Sequence, residues 1–270
     1  MKLNIWIVLL LLLGCSAEEE WINIPSNSER FFSVEAYLTD NRKIEITVIN
    51  NILLTDELIV KPVWYADVFV SNNEQEYALK NLTYTRSADN RFINYVSDDD
   101  ISFEEGTLSL SIDYKDSIFL TAEASVLSPV TLDSVLLYDS QNVGFYFEKG
   151  EDTEYYKTLV YVYLKDTMKE VNQIHHIDAT QNTLVINETI DELMDADSAY
   201  YILSKISKDH YMYERSVRNA ILANIEPTVK ADTIYSNIQN AKGIFTFMSN
   251  DTIKVDLSEI ELGERIVISN

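Results

Sequence analysis

The sequence predicts a mainly β protein: an N-terminal immunoglobulin-like β-sandwich followed by a second β-rich region with one packed α-helix. Two observations carry this prediction. Beyond residue 28, apolar residues recur at every second position in one short stretch after another, the period of strands with one buried face. Only the stretch around 208–224 has the 3.6-residue spacing of a helix.

The first alternating stretch, FFSVEAYL, sets Phe32, Val34, Ala36 and Leu38 on one face. KIEITVIN does the same with Ile44, Ile46 and Val48 against Glu45 and Thr47. TLSLSIDY alternates Leu108, Leu110, Ile112 and Tyr114 with Ser109, Ser111 and Asp113. SIFLTAEAS follows it, and Lys115-Asp116 at the joint reads as a tight hairpin turn. Further strands are predicted at 67–71, 91–96, 131–138, 155–164, 183–186, 200–206, 243–248, 253–257 and 265–268. Many short strands with polar joints are the pattern of a sandwich or open barrel.

The helix is predicted to start at Ser207, which can cap KDHYMYERSVRNAILANI, with Asp209 in the first turn where the helix dipole favours negative charge. Tyr213, Val217, Ala220, Ile221 and Asn224 form its predicted contact stripe. Glu214 and Arg218 are spaced as an i, i+4 ion pair, and Pro227 prevents continuation. The expected organisation is a signal peptide at 1–14, a tether at 15–28, a β-sandwich domain at 29–130 and a β-rich domain at 131–270.

The start of the chain carries the sharpest functional signal. Lys2 supplies a positive charge, and Ile5 to Leu13 form an uncharged apolar run too short to span a bilayer as a helix, which reads as an export signal. Leu12-Leu13-Gly14-Cys15 resembles a bacterial lipobox, with a small residue just before the only cysteine in the chain. A thiol is needed there because sulfur takes the diacylglycerol, and cleavage before Cys15 frees an amine for further acylation. Two or more acyl chains anchor far better than one, at about 0.8 kcal/mol per buried CH₂. Behind it, Ser16-Ala17-Glu18-Glu19-Glu20 resembles the acidic tract of surface-exposed lipoproteins of Bacteroidota.

Composition narrows the partners. A formal charge of −23, from 21 Lys+Arg against 44 Asp+Glu, repels phosphate backbones and disfavours nucleic-acid binding. It suits solubility at a crowded surface, cationic ligands or divalent metals.

ERFFSVEAYLTDNRKIEITV and WYADVFV, with the blocks that follow them along the chain, resemble the opening strand pair and the A-x-V strand of the Bacteroidota lipoproteins grouped as the domain of unknown function numbered 4249. GTLSLSIDYKDSIFLTAEASVLSPVTLDSVLL, with Pro129, Asp133 and Ser134, resembles its central block, and TEYYKTLVYVY its paired-tyrosine strand. ISKDHYMYERSVRN and IEPTVKADTIYSNIQNAKGIF resemble its helix and S-N-I-x-x-G-x-G-x-F ending. Asn237, Ile238, Gly243 and Phe245 match that ending, and Ala241 stands where glycine is usual. The resemblance implies no established activity and no cofactor. It implies an accessory outer-membrane lipoprotein, exposed at the cell surface and partnered with a TonB-dependent nutrient transporter.

Catalytic chemistry leaves little trace. There is no G-x-S-x-G elbow, H-E-x-x-H or phosphate-cradling glycine loop. His175 and His176 are adjacent, so on a strand they face opposite sides; in a loop they could share a metal with Asp178. His210, in the first helical turn, is expected at the surface. Asp98-Asp99-Asp100 with Glu104-Glu105, and the stretch from Asp191 to Ser198, are read as solvated loops rather than calcium sites, because EF-hand spacing is missing. Seventeen tyrosines, including Tyr155-Tyr156, Tyr161, Tyr163, Tyr200-Tyr201, Tyr211 and Tyr213, offer a contact surface wherever their rings face outward. Asp followed by Ser or Thr and an apolar residue occurs at Ser117, Ser134, Thr167, Ser198, Thr233 and Thr252. This triplet resembles an O-glycosylation acceptor of exported Bacteroidota proteins, usable only where exposed. The expected function is non-enzymatic binding; the alternative is a surface hydrolase acting on glycan or peptide.

Overall fold

The computed structural model describes residues 29–54, 57–86, 89–115, 117–138, 142–148, 154–164, 167–177, 183–189, 196–226, 228, 233–257 and 265–267. Cys15, the signal segment, the tether, Asp178 and most of the Asp191–Ser198 stretch lie outside the described residues.

The first half contains β1 (Glu29–Thr39), β2 (Glu45–Leu54), β3 (Glu57–Pro62), β4 (Asp67–Asn72), β5 (Gln75–Ala78), β6 (Lys80–Arg86), β7 (Arg91–Val96), β8 (Thr107–Tyr114) and β9 (Ile118–Ser125). The second contains β10 (Leu132–Leu137), β11 (Asn142–Glu148), β12 (Glu154–Leu164), β13 (Thr167–Ile177), β14 (Thr183–Thr189) and β15 (Ser198–Ile206). Helix α1 (Lys208–Ile225), β16 (Lys242–Asp256) and β17 (Arg265–Val267) complete it. The protein is mainly β, in a layered, sandwich-like arrangement with one helix.

One nine-stranded sheet, in the order β13-β12-β15-β16-β1-β2-β7-β6 with β3 beside β2, runs through both halves. The sheet β5-β4-β8-β9 covers one end of its inner face, and β14-β11-β10-β17 covers the other. Two cores result. Val34, Ala36, Ile46, Val48, Leu110 and Ile112 belong to the first; Phe145, Phe147, Tyr156, Val160 and Leu203 belong to the second. The inward residues are those that alternation picks out in FFSVEAYL, KIEITVIN and TLSLSIDY, because burial on a sheet follows the two-residue period.

β16 joins the two units. Its first half pairs parallel with β1, from Ser33↔Lys242 to Thr39↔Met248, and its second half pairs antiparallel with β15. Phe245 and Phe247 therefore enter the first core, joined by Ile238 from the segment before the strand, whereas Ile253 and Val255 enter the second. The sequence predicts two strands here, separated by the polar Ser249-Asn250-Asp251. In the structure all three lie inside one strand. Ser249 Oγ accepts from the Val130 N–H at 2.9 Å and Asp251 from the Leu132 N–H at 2.7 Å, so these polar residues stitch the inter-unit segment to the sheet.

The S-N-I-containing block is a structural clasp. Asn237 Oδ1 accepts from the Phe245 N–H at 3.0 Å and its Nδ2 donates to the Phe245 carbonyl at 2.8 Å. The Gln239 N–H donates to the Thr121 carbonyl at 2.8 Å, tying the loop to β9. Asn240 takes the left-handed conformation, with φ 61°, so that geometry does not fall on Ala241. Gly243 has φ +119° and faces Val34 across the sheet, where an added Cβ would lie 1.9 Å from the Val34 carbonyl oxygen. Only glycine fits there.

Where prediction missed strands, the pattern was absent for physical reasons. β6 is an edge strand exposed along most of its length, so no alternation marks it. β11 has Val143, Gly144 and Phe145 buried in succession, which also removes the period. The β8–β9 hairpin turns at Lys115 in the left-handed conformation, φ 60°.

Candidate functional site

The outer face of the large sheet holds the candidate site. Strands that bury Val34, Ala36, Val160 and Val162 inward turn Glu35, Tyr37, Lys157, Leu159 and Tyr161 to the other side. Helix α1 crosses part of this face, and beside it lies a groove of about 670 Å³. Thr39, Met248, Ile202 and Leu159 contribute to its lining across β1, β16, β15 and β12. Arg86, Asp89 and Arg91 reach it from the β6–β7 hairpin, Arg42 and Lys43 from the β1–β2 turn, and Glu170 from β13.

Helix α1 is held here by polar contacts, which corrects its sequence reading. Ser207 caps it as predicted, Oγ accepting from the His210 N–H at 3.1 Å. The predicted apolar stripe is only in part the contact face: Tyr213 reaches Glu35 and Val217 is half-buried, but Ile221 is 54% exposed and Asn224 is exposed, while the buried residues are His210 and Ser216. His210, expected at the surface, is fully buried. The reason is the surface beneath. The helix crosses a sheet face bearing Glu35, Tyr37 and Lys157, so its contacts are hydrogen bonds and rings. Tyr213 donates to Glu35 at 3.1 Å, Tyr155 and Tyr211 stack at 5.0 Å, and His210 lies edge-on to Tyr37 at 5.3 Å.

Glu214 is the hub. The sequence pairs it with Arg218; in the structure its Oε1 accepts from Lys157 Nζ at 2.6 Å and lies 2.9 Å from His210 Nε2. Neutral His210 with its proton on Nε2 donates that bond. Nδ1 is buried without a hydrogen-bond partner, so a second proton would be stranded there. Burial thus pushes the His210 pKa down, outweighing the pull of Glu214. Burial alone would raise the Glu214 carboxyl, but His210 and Lys157 together bring it down to about 2.

A second network closes the far side of the groove. Arg86 bridges Glu45 at 2.6 Å and Asp89 at 2.5 Å, and Arg91 lies 4.1 Å above the Tyr37 ring and 3.7 Å from Asp89. The Arg86 hydrogen bond holds the Asp89 carboxyl below its usual range. Burial, then the hydrogen bond to Glu45, pushes the Tyr84 hydroxyl up to about 12. These networks could not be assembled from sequence, because strands far apart in the chain bring their members together. The available signal was the outward register itself: Lys157 and Tyr161 alternate with Val160 and Val162.

The remaining candidates scatter. Ser117, Thr233 and Thr252 are exposed, and Ser198 is half-buried. Ser134 is fully buried on β10, which removes it from the accessible acceptors. Thr167 begins β13, and its side chain lies outside the described residues, as does that of His176. His175 is on β13, its Nε2 2.9 Å from Thr158 Oγ1. Asp98 pairs with Lys80 at the surface, Glu104 accepts from Asn73, and no metal-ligand cluster occurs among the described residues. The tyrosine pairs divide as alternation requires: Tyr156 and Tyr201 are buried, while Tyr155 and Tyr200 face the outer side.

No family model and no curated protein matches the chain. Among solved structures, a DUF4785 family protein from Legionella pneumophila aligns over 84% of the chain at 13% identity, with a TM-score of 0.28. The chain spans 57% of that protein's length. A likeness at this level carries neither fold nor function across.

Proposed function

We propose that this protein is a surface-exposed, outer-membrane lipoprotein acting as a non-enzymatic binding or accessory partner of a TonB-dependent nutrient transporter. One observation carries the binding part of this reading. Asp89 and Glu214, which line the groove, are both held in ion pairs, with Arg86 at 2.5 Å and Lys157 at 2.6 Å, so neither carboxyl is poised to give up a proton near neutral pH. Groups locked in mutual ion pairs suit a preformed recognition surface. The location rests on Leu12-Leu13-Gly14-Cys15 and the acidic tract behind it. The partner class rests on the resemblance to the domain of unknown function numbered 4249. Anchoring both proteins in one membrane raises their effective concentration, so a modest interface suffices.

Mass spectrometry of the mature N-terminus is expected to find lipid-modified Cys15 and no residues 1–14. Cys15→Ala is expected to leave the domain folded and move it from the membrane to the soluble fraction. An unmodified N-terminus elsewhere, or a membrane-bound Cys15→Ala protein, would reject the anchor.

A further inference from the structure

We infer that the edge formed by β3 and the loop after it rests on the lipid surface that holds the anchor, with Trp64 and Tyr65 set among the headgroups. This rests on the lipoprotein reading above and gives the anchored domain its orientation. The first argument is the loop itself. Tyr65 is 91% exposed and Trp64 is 42% exposed. Tyr65 also has φ 61°, a left-handed backbone that is an outlier for so bulky a residue. A clamp beneath the loop sustains that strain. The buried Tyr95 hydroxyl accepts from the Ala66 N–H at 2.9 Å and donates to the Val63 carbonyl at 3.1 Å, so one side chain holds both ends of the Trp64-Tyr65 turn. Asn94 Nδ2 donates to the same Val63 carbonyl at 2.9 Å. What the strained turn achieves is the outward display of two rings on a rigid mount.

The second argument is the chemistry of what is displayed. Trp and Tyr join an apolar ring to a polar N–H or O–H, which suits the zone between headgroups and acyl chains. Aliphatic side chains accompany them. Val60, 53% exposed, is on β3, which among the described residues pairs with β2 alone. Leu82, 56% exposed, follows Asn81, whose Nδ2 donates to the Asn94 carbonyl at 3.1 Å and so ties this stretch to the same clamp. Helix α1 also exposes Ile221, Leu222 and Ile225, but these are aliphatic, with no aromatic ring among them. In a chain of charge −23, contact with lipid depends on burying rings and aliphatics rather than on charge.

The third argument is where the tether joins. Cys15 to Ser28, about 14 residues ending at the start of β1, spans roughly 20 Å as a flexible coil. The Val63 N–H donates to the Val48 carbonyl, and Val48 pairs with Val34 on β1. Val63 thus lies about five residues along the sheet from Glu29 and two strands across. At about 3.3 Å per residue and about 4.8 Å per strand, that is roughly 19 Å. Val60, level with Asn51 and Phe31, lies closer still. The edge meets the bilayer surface without stretching the tether.

The test uses the only cysteine. The chain from Cys15 onward, made without acyl groups, is coupled through that thiol to a maleimide lipid in phosphatidylcholine vesicles. With Trp21→Phe, Trp64 is its only tryptophan. Its emission is expected to shift to the blue and to fall about twofold or more when lipid carrying a nitroxide at the headgroup is included. With Trp21→Phe, Trp64→Phe and Ile225→Trp, the reporter on α1 is expected to be unquenched. Tyr65→Gly relieves the left-handed strain, so it is expected to keep or raise the unfolding midpoint while weakening the quenching of Trp64. A purely structural Tyr65 would lower the midpoint and leave the quenching unchanged. Unquenched Trp64, which would leave the loop to a protein or glycan, or equal quenching at both positions, overturns the inference. Because the coupling is chemical, that outcome is independent of natural acylation. An unmodified Cys15 in cells rejects the lipoprotein reading, whereas unquenched Trp64 beside an acylated Cys15 rejects the orientation alone.

Discussion

Gly243→Ala is expected to destabilise the protein by about 4 kcal/mol or more, the range of strained-backbone and overpacking lesions combined. Two independent costs meet at this position. The backbone has φ +119°, which L side chains rarely adopt, and the new Cβ would lie 1.9 Å from the Val34 carbonyl oxygen. That atom is backbone of the neighbouring strand, so relief requires separating β1 from β16. Those strands carry the sheet from one core to the other, and their loss uncouples Phe245 and Phe247 from the first core. Urea unfolding gives the comparison. Ala241→Gly, just before the strand and outside the left-handed region, serves as the control and is expected to change stability by less than about 1 kcal/mol. A Gly243→Ala protein within 1 kcal/mol of wild type would contradict this account of the seam.

Glu214→Gln is expected to have the next largest effect, about 3 kcal/mol at pH 7, because it leaves the Lys157 ammonium largely buried without its counter-charge. The effect depends on pH in a defined direction. The folded Glu214 pKa of about 2 lies below its ordinary 4.5, so the unfolded chain binds this proton first. The contribution is fully present above pH 4.5, is lost as pH falls toward 2, and totals about 3 kcal/mol at 1.36 kcal/mol per pKa unit. The gap between wild type and Glu214→Gln should therefore narrow over that range. His210, bonded to Glu214, titrates within the same network and steepens the slope nearer neutral pH. Its folded pKa is also lowered, so its contribution is present above 6.5 and declines as pH falls below that value. His210→Gln, which can still donate to Glu214, should flatten the stability loss between pH 7 and 5. A gap that stays constant from pH 7 to 2 would place Glu214 outside this network.

What could be read from the sequence was whatever depends on neighbours in the chain. The alternation in TLSLSIDY identified the buried face of β8, and Ser207 identified the start of α1, because pleat and cap are local properties. The failures share a cause. His210 was assigned to the surface from its place in the first helical turn, yet burial depends on what lies beneath that turn: Tyr37, from a distant strand. Ser249-Asn250-Asp251 has the composition of a turn, but its hydrogen bonds go to Val130 and Leu132 across the molecule. The groove was invisible for the same reason, since Arg42, Glu170 and Glu214 come to line one groove only once the large sheet forms. Gly243 was noticed through a resemblance; its physical necessity, the contact with Val34, required the register of β1 against β16.

The central claim is a surface lipoprotein that works with a transporter, and affinity purification of the tagged, full-length protein from gently solubilised membranes tests it most directly. The account predicts that a TonB-dependent transporter is recovered with the wild-type protein and not with Cys15→Ala, and that nutrient uptake falls in a deletion strain. Repeated recovery without any transporter, together with wild-type uptake in the deletion strain, would contradict it.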